Sequence, residues 1–217
     1  MSLLLGIETS SLRYAVVFGR DGQLLFDSGD EREAPADLAG LVERGLAAVG
    51  AGRQDIDAIA VDIGPGGLGA VRAGVSFANA LAWSLARPVY PVSAFELIGF
   101  EAWREVQAPI LCLRATSHGN AYVGIYDGAA VTTMRYGPLA ATVAGVAGTL
   151  RRIGVAGTSR DQVAAILPDA TIIDSGVAGA RARSLIDIGL SGRVALDPAT
   201  SRASPLTEQS RIFHEAA

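Results

Sequence analysis

The stretch Asp62 to Ala86, DIGPGGLGAVRAGVSFANALAWSLA, constrains this chain more than any other. Gly64-Pro65-Gly66-Gly67 interrupts any regular element, and from Gly69 to Leu85 the only polar side chains are Arg72, Ser76, Asn79 and Ser84. The spacing predicts a helix over 69–85. A helix that is apolar nearly all round needs cover on more than one side. Ala70, Gly74, Ala78, Ala82 and Ala86 recur at four-residue intervals, so they line up as a small-residue stripe flanked by Val71, Val75, Phe77, Leu81 and Leu85. Such a stripe admits a close neighbour: the chain's own sheet, an internal helix, or a second polypeptide. On the last reading, Arg72, Gly74, Val75, Ala78, Asn79 and Ala82 form an interface.

The surrounding pattern supplies a sheet. Leu3–Glu8 is apolar and ends in Thr9-Ser10, Arg13–Gly19 is rich in β formers, Asp21-Gly22 turns the chain, and Gln23–Ser28 continues as a strand. Leu38, Leu41, Val42, Leu46 and Val49 have helical spacing behind an Asp37 N-cap. Asp57–Ile63 and Pro88–Val92 read as buried strands, which gives the order β-β-β-α-β-α-β. A second set follows: a helix over 93–103, strands over 110–115, 121–126 and 130–136, then helices over 139–151, 160–167 and 177–189 alternating with strands over 153–156 and 171–173. The expected fold class is α/β with two lobes, residues 1–100 and 101–217. The Ser/Thr/Pro/Ala-rich tail from Asp197 lies extended over a surface or moves freely.

Several chemistries are poorly served. The net charge of −4 gives no global attraction for RNA or anionic membranes. All 18 basic residues are Arg, so the Schiff-base amine, the P-loop ammonium and the kinase-type lysine are absent. His118 and His214 are far apart and Cys112 sits in an apolar run, so no metal site is expected. Ser117-His118 with Asn120 reads as a loop rather than a triad. One buried cysteine, no basic leader and no uninterrupted apolar span suggest a cytoplasmic chain without membrane contact.

Two features point to a nucleotide. Gly6-Ile7-Glu8-Thr9-Ser10 ends the first strand with a carboxylate that suits hydrated Mg²⁺ and hydroxyls that suit phosphates. Gly64-Pro65-Gly66-Gly67 offers unobstructed amides at a helix N-terminus. Glu8, Thr9, Gly64 and Gly66 are therefore the candidate binding residues for ATP with Mg²⁺. Each feature has a plainer reading, a hydroxyl-capped strand end and a tight strand-to-helix turn. The turn matches neither G-x-G-x-x-G nor the P-loop.

Taken jointly, Gly6-Ile7-Glu8-Thr9-Ser10, Gly64-Pro65-Gly66 with Val71-Arg72-Ala73-Gly74, Pro91-Val92-Ser93, and Arg114-Ala115 leading to Ala121–Tyr126 resemble the bacterial TsaB (YeaZ) family, over roughly the first 130 residues. The family turn G-P-G-S-F-T-G is replaced here by Gly67, Leu68, Gly69 and Ala70, and Glu8 stands in place of the usual Asp; both changes lean toward the catalytic paralogue TsaD. That paralogue carries a metal-binding histidine pair where this chain has Ser93-Ala94-Phe95-Glu96-Leu97. The resemblance implies a two-lobed actin-like ATPase (ribonuclease-H-like) fold, each lobe a mixed sheet with flanking helices. It also implies a non-catalytic partner, without a cofactor, that joins TsaD and the ATPase TsaE in making N6-threonylcarbamoyladenosine (t6A) at adenosine 37 of tRNA. Homodimers through the first lobe belong to that implication, and tRNA is reached only through the complex. The rival readings are a stand-alone actin-like ATPase or phosphotransferase using Glu8 and the Gly64 turn, and a diverged carbamoyl-transfer paralogue.

Overall fold

A computed structural model describes residues 2–11, 14–29 and 37–214. In chain order the elements are β1 (Leu3–Glu8), β2 (Ala15–Arg20), β3 (Gln23–Asp27), α1 (Leu38–Val49), β4 (Ile56–Asp62), α2 (Leu68–Leu85) and β5 (Val89–Val92). They continue as α3 (Ala94–Val106), β6 (Ile110–Ala115), β7 (Asn120–Tyr126), β8 (Val131–Pro138), α4 (Leu139–Ala147), β9 (Arg152–Gly157), α5 (Val163–Ile166), β10 (Thr171–Asp174) and α6 (Ser184–Asp187). Two compact units result: residues 1–94 with 181–205, and residues 95–180 with 206–217. The return of 181–205 to unit 1 is a crossing that a simple division into two consecutive halves does not contain.

Unit 1 holds a mixed sheet in the order β3-β2-β1-β4-β5. β1 runs antiparallel to β2 and parallel to β4, and β4 is parallel to β5. Alternation along β1 explains its position at the centre. Leu3, Leu5 and Ile7 enter the core formed with α1 and α2, whereas Gly6 on the opposite face lies beneath Leu185 of α6. α1 begins where the Asp37 carboxylate accepts the Gly40 amide (3.0 Å) and stops at left-handed Gly50. It buries Leu38, Leu41, Val42 and Leu46, as the sequence spacing predicts.

Unit 2 repeats the strand order as β10-β9-β6-β7-β8, with β6 antiparallel to β7 and parallel to β9, and β9 parallel to β10. Its core gathers Leu111, Leu113, Val123, Val143, Ile153, Val155 and Val163. Phe213 is buried against Tyr122, whose hydroxyl donates to the Glu208 carboxylate (3.2 Å), so these two residues of the 206–214 segment lie against this sheet.

Three helices are shorter than the periodicity predicts. α4 ends at Ala147, and the 160–167 segment is a 3-10 turn followed by one turn of α-helix. The predicted helix over 177–189 contracts to Ser184–Asp187. Val177 is drawn out of it because its carbonyl accepts the Gly157 amide (2.8 Å) at the end of β9. No described helix is long and apolar enough to cross a membrane.

Candidate functional site

In each unit the chain leaves two adjacent parallel strands in opposite directions. In unit 1, β1 turns to β2 on one side while β4 passes through α2 to β5 on the other. Loops diverge at such a point, and open α/β sheets hold their ligands beyond the carboxyl ends of those strands.

Glu8 and Asp62 occupy that point in unit 1. The register pairs Ile7 with Val61, so the next residues bring two carboxyls side by side, at 1% and 0% exposure. Glu8 Oε1 accepts from the Ser10 hydroxyl (2.9 Å) and the Ser11 amide (2.9 Å), and Oε2 accepts from the Ser11 hydroxyl (2.6 Å). Asp62 Oδ1 accepts from the Gly64 amide (2.7 Å), while its Oδ2 and the Thr9 hydroxyl are buried without hydrogen-bond partners. Burial pushes the Glu8 carboxyl above its usual range against the pull of the serines. Asp62 is pushed well above its own range, first by burial and then by the charge of Glu8. Both carboxyls thus hold their protons more tightly than exposed ones, Asp62 more strongly than Glu8.

The four sequence candidates, Glu8, Thr9, Gly64 and Gly66, do meet here. Around them the Gly64 amide serves Asp62 and the Ser10 and Ser11 hydroxyls serve Glu8, whereas the Thr9 hydroxyl serves neither. Gly66 lies so close to Ser10 that a Cβ there would collide with its backbone. A phosphate group at this end of the sheet would meet two buried carboxyls beside the unpartnered Thr9 hydroxyl. Among the described residues, no group of three or more His, Cys, Asp or Glu side chains could hold a metal ion.

α2 corrects the stripe reading. Gly74, Val75, Ala78 and Ala82 are buried against unit 1's own sheet and core, so they are not available to a second polypeptide. Gly74 lies where a Cβ would overlap the Thr9 side chain, which explains why the smallest residue stands at the closest approach of helix and strand. Arg72 is exposed, and with Ser76, Ala80 and Trp83 it forms the outward face at 100° per residue. Asn79, the remaining interface candidate, is half-buried, and its carboxamide is hydrogen-bonded to the backbone of Ala203.

Sequence reasoning missed Asp62 and Trp83. Asp62 closes β4, and only the parallel register with β1 reveals its partner. Trp83 is 65% exposed, and helical spacing from Arg72 was a signal that could have placed it.

At the corresponding point of unit 2 there is no buried carboxyl. β6 and β9 are closed by the Thr158 hydroxyl, which accepts the Ala115 amide (2.6 Å), and the Thr116 hydroxyl donates to the Asn120 carbonyl (3.1 Å). A cavity of about 830 Å³ opens there, lined by Thr116, Asn120, Leu139, Asp161, Gln162 and Ile166 among others. His118 (φ 60°) and Ser159 (φ 59°) hold left-handed conformations in its loops.

Comparison with known proteins follows the geometry. Residues 32–157, more than half of the chain, match the family described as TsaD: tRNA N6-adenosine threonylcarbamoyltransferase. A tRNA N6-adenosine threonylcarbamoyltransferase of Thermus thermophilus is 31% identical over 181 residues, covering 76% of this chain and 52% of the relative. The chain thus spans about half the length of that curated relative. Among solved structures, a Pseudomonas aeruginosa protein described as similar to the peptidase YeaZ superposes with a TM-score of 0.75 at 23% identity, covering 96% of this chain and all of the other. YeaZ from the same organism gives 0.72 at 22% identity, covering 95% and 100%. The repeated five-stranded sheets are those of the YeaZ fold, and by its matched residues the chain belongs to the TsaD family.

Proposed function

We propose that this chain is a non-catalytic partner subunit in t6A synthesis, docking a TsaD-type threonylcarbamoyltransferase and working beside the ATPase TsaE on tRNA that the complex, not this chain, grips. The observation that carries this reading is the closure of unit 1's strand ends by Glu8 and Asp62, where an active nucleotide enzyme of this fold class needs free donors. The segment after β5, Ser93–Leu97, supports it too, because it has no histidine to hold a metal. The docking surface is the outward face of α2, with Arg72 and Trp83 at its centre and Asn79 on its flank. The same face serves a homodimer when the partner is absent.

Complementation tests the role. In a bacterium depleted of its own TsaB, expression of this chain restores tRNA t6A measured by mass spectrometry, and Trp83→Ala lowers association with TsaD in sedimentation while the fold is kept. Lack of rescue by a well-expressed, folded protein overturns the role and leaves the carbamoyl-transfer paralogue. Calorimetric titration with ATP and Mg²⁺ gives no micromolar binding on this reading. Binding that disappears in Glu8→Ala would instead identify a stand-alone ATPase or phosphotransferase.

A further inference from the structure

The segment after α6 crosses unit 1 without regular structure, yet it is fastened at two points. At the first, Leu196 and Val89 exchange both backbone hydrogen bonds, 3.1 Å from the Val89 amide and 2.7 Å from the Leu196 amide. The Leu196 side chain is half-buried against the unit 1 core. At the second, the Asn79 carboxamide donates to the Ala203 carbonyl (2.9 Å) and accepts the Ala203 amide (3.0 Å), and the Ala203 methyl is buried. Between these anchors, residues 197–201 bond to themselves: the Asp197 carboxylate accepts the Ala199 amide (2.8 Å), and its carbonyl accepts the Thr200 and Ser201 amides (3.1 and 2.8 Å). The turn therefore keeps its shape whether or not the anchors hold.

Both anchors are limited by construction. Val89 presents its amide and carbonyl to the open edge of β5, and the next residue facing that way, Pro91, has no N–H to donate. The Leu196 bridge cannot lengthen into a strand pair. Asn79 sits about 20° around the helix from Arg72 and about 40° from Trp83, at the border between the buried and outward faces of α2. One of its two N–H donors and one acceptor position of its oxygen are taken by Ala203.

We infer that residues 196–205 form a releasable strap that competes in cis with the partner protein for this flank of α2. The inference rests on the docking reading given above. A protein seated on the outward face of α2 reaches the whole of the Asn79 carboxamide only when the second anchor opens, and a one-residue bridge at the first anchor offers little resistance to that opening.

The test uses the full chain and a full-length TsaD from the same organism. Hydrogen exchange at the Leu196 and Ala203 amides is measured with and without TsaD, and TsaD affinity is compared among the wild type, Leu196→Pro and Ala203→Arg. Leu196→Pro deletes the donor to Val89, and Ala203→Arg introduces a side chain too large to stay buried, while neither alters α2. The strap predicts that both amides exchange roughly tenfold faster in the complex. Each variant should bind TsaD about threefold more tightly. If Ala203→Arg loses its circular dichroism signal, Leu196→Pro at the sheet edge decides. Tight binding by the wild type with unchanged or increased protection, or with variants that bind no better, overturns the strap alone. No binding by any of the three overturns the docking reading and the strap with it.

Discussion

Unit 1 and unit 2 fold the same order of strands, and they finish it differently. At the carboxyl ends of β1 and β4, unit 1 buries Glu8 and Asp62 and turns the Gly64 amide and the Ser10 and Ser11 hydroxyls onto them. At the ends of β6 and β9, unit 2 uses the Thr158 hydroxyl and leaves an open cavity. A shared topology therefore fixes where a site can form and leaves open whether one does. Burying two carboxyls is costly unless one stays protonated. The contrast also explains why α2 is packed so closely on unit 1: the helix lies over the end of β1 at Gly74, and the outward face it presents is separate from the buried pair.

The largest expected effect breaks the closed end. Gly74→Val pushes a branched side chain into Thr9 between α2 and β1, and should destabilise the protein by about 3 kcal/mol in urea denaturation followed by circular dichroism. Gly69→Ala, one turn earlier on the same helix, meets nothing and should raise stability by about 0.5 kcal/mol through helix propensity alone. Equal effects of the two substitutions would mean that α2 does not press on the strand end.

A smaller effect follows from the carboxyl pair itself. Folding raises Asp62 above the 3.8 of an unperturbed carboxyl, so between that value and its folded one the folded protein binds more protons than the unfolded chain. Stability contributed by the proton is fully present below pH 3.8 and is lost as pH rises through the folded value, with a slope of up to about 1.4 kcal/mol per pH unit. Glu8 shifts in the same direction and adds to the slope. Asp62→Asn keeps an acceptor for the Gly64 amide and removes the titrating group. Urea midpoints collected from pH 4 to 8 should show a flatter profile than the wild type, with no loss of stability at pH 7. A profile as steep as that of the wild type would show that Asp62 is ionised in the folded protein.

The sequence made half of this comparison readable. The β-β-β-α-β-α-β order, the Asp37 cap and the acidic end of β1 are local signals, and each appears where its residues predict. Asp62 was out of reach because its partner lies 54 residues away, and only the parallel register brings it to Glu8. The stripe on α2 misled for a different reason. Small residues allow close approach to a strand as readily as to a helix, so spacing alone left open what lies against Gly74 and Ala78. In the second half, the helical pattern over 177–183 lost to one long-range bond, Gly157 to Val177, which holds the chain extended.

The smallest effect probes the open end of unit 2. Ala140 is exposed in the first turn of α4 and lines the cavity above β6 and β9. An aromatic ring there has room to lie in the cavity, covers Leu139 and Ile166 in place of water, and breaks no hydrogen bond of the Thr116 to Asn120 loop. Ala140→Phe should therefore change stability by less than about 0.5 kcal/mol, in either direction. The same enlargement at Ala78, buried against the unit 1 core, has no space to enter and should cost about 3 kcal/mol. Urea titrations of the two variants side by side measure the difference between the units directly. If Ala140→Phe falls with Ala78→Phe, the cavity closes in solution and the two strand ends are equally filled; if it stays near zero, unit 2 alone keeps an accessible end.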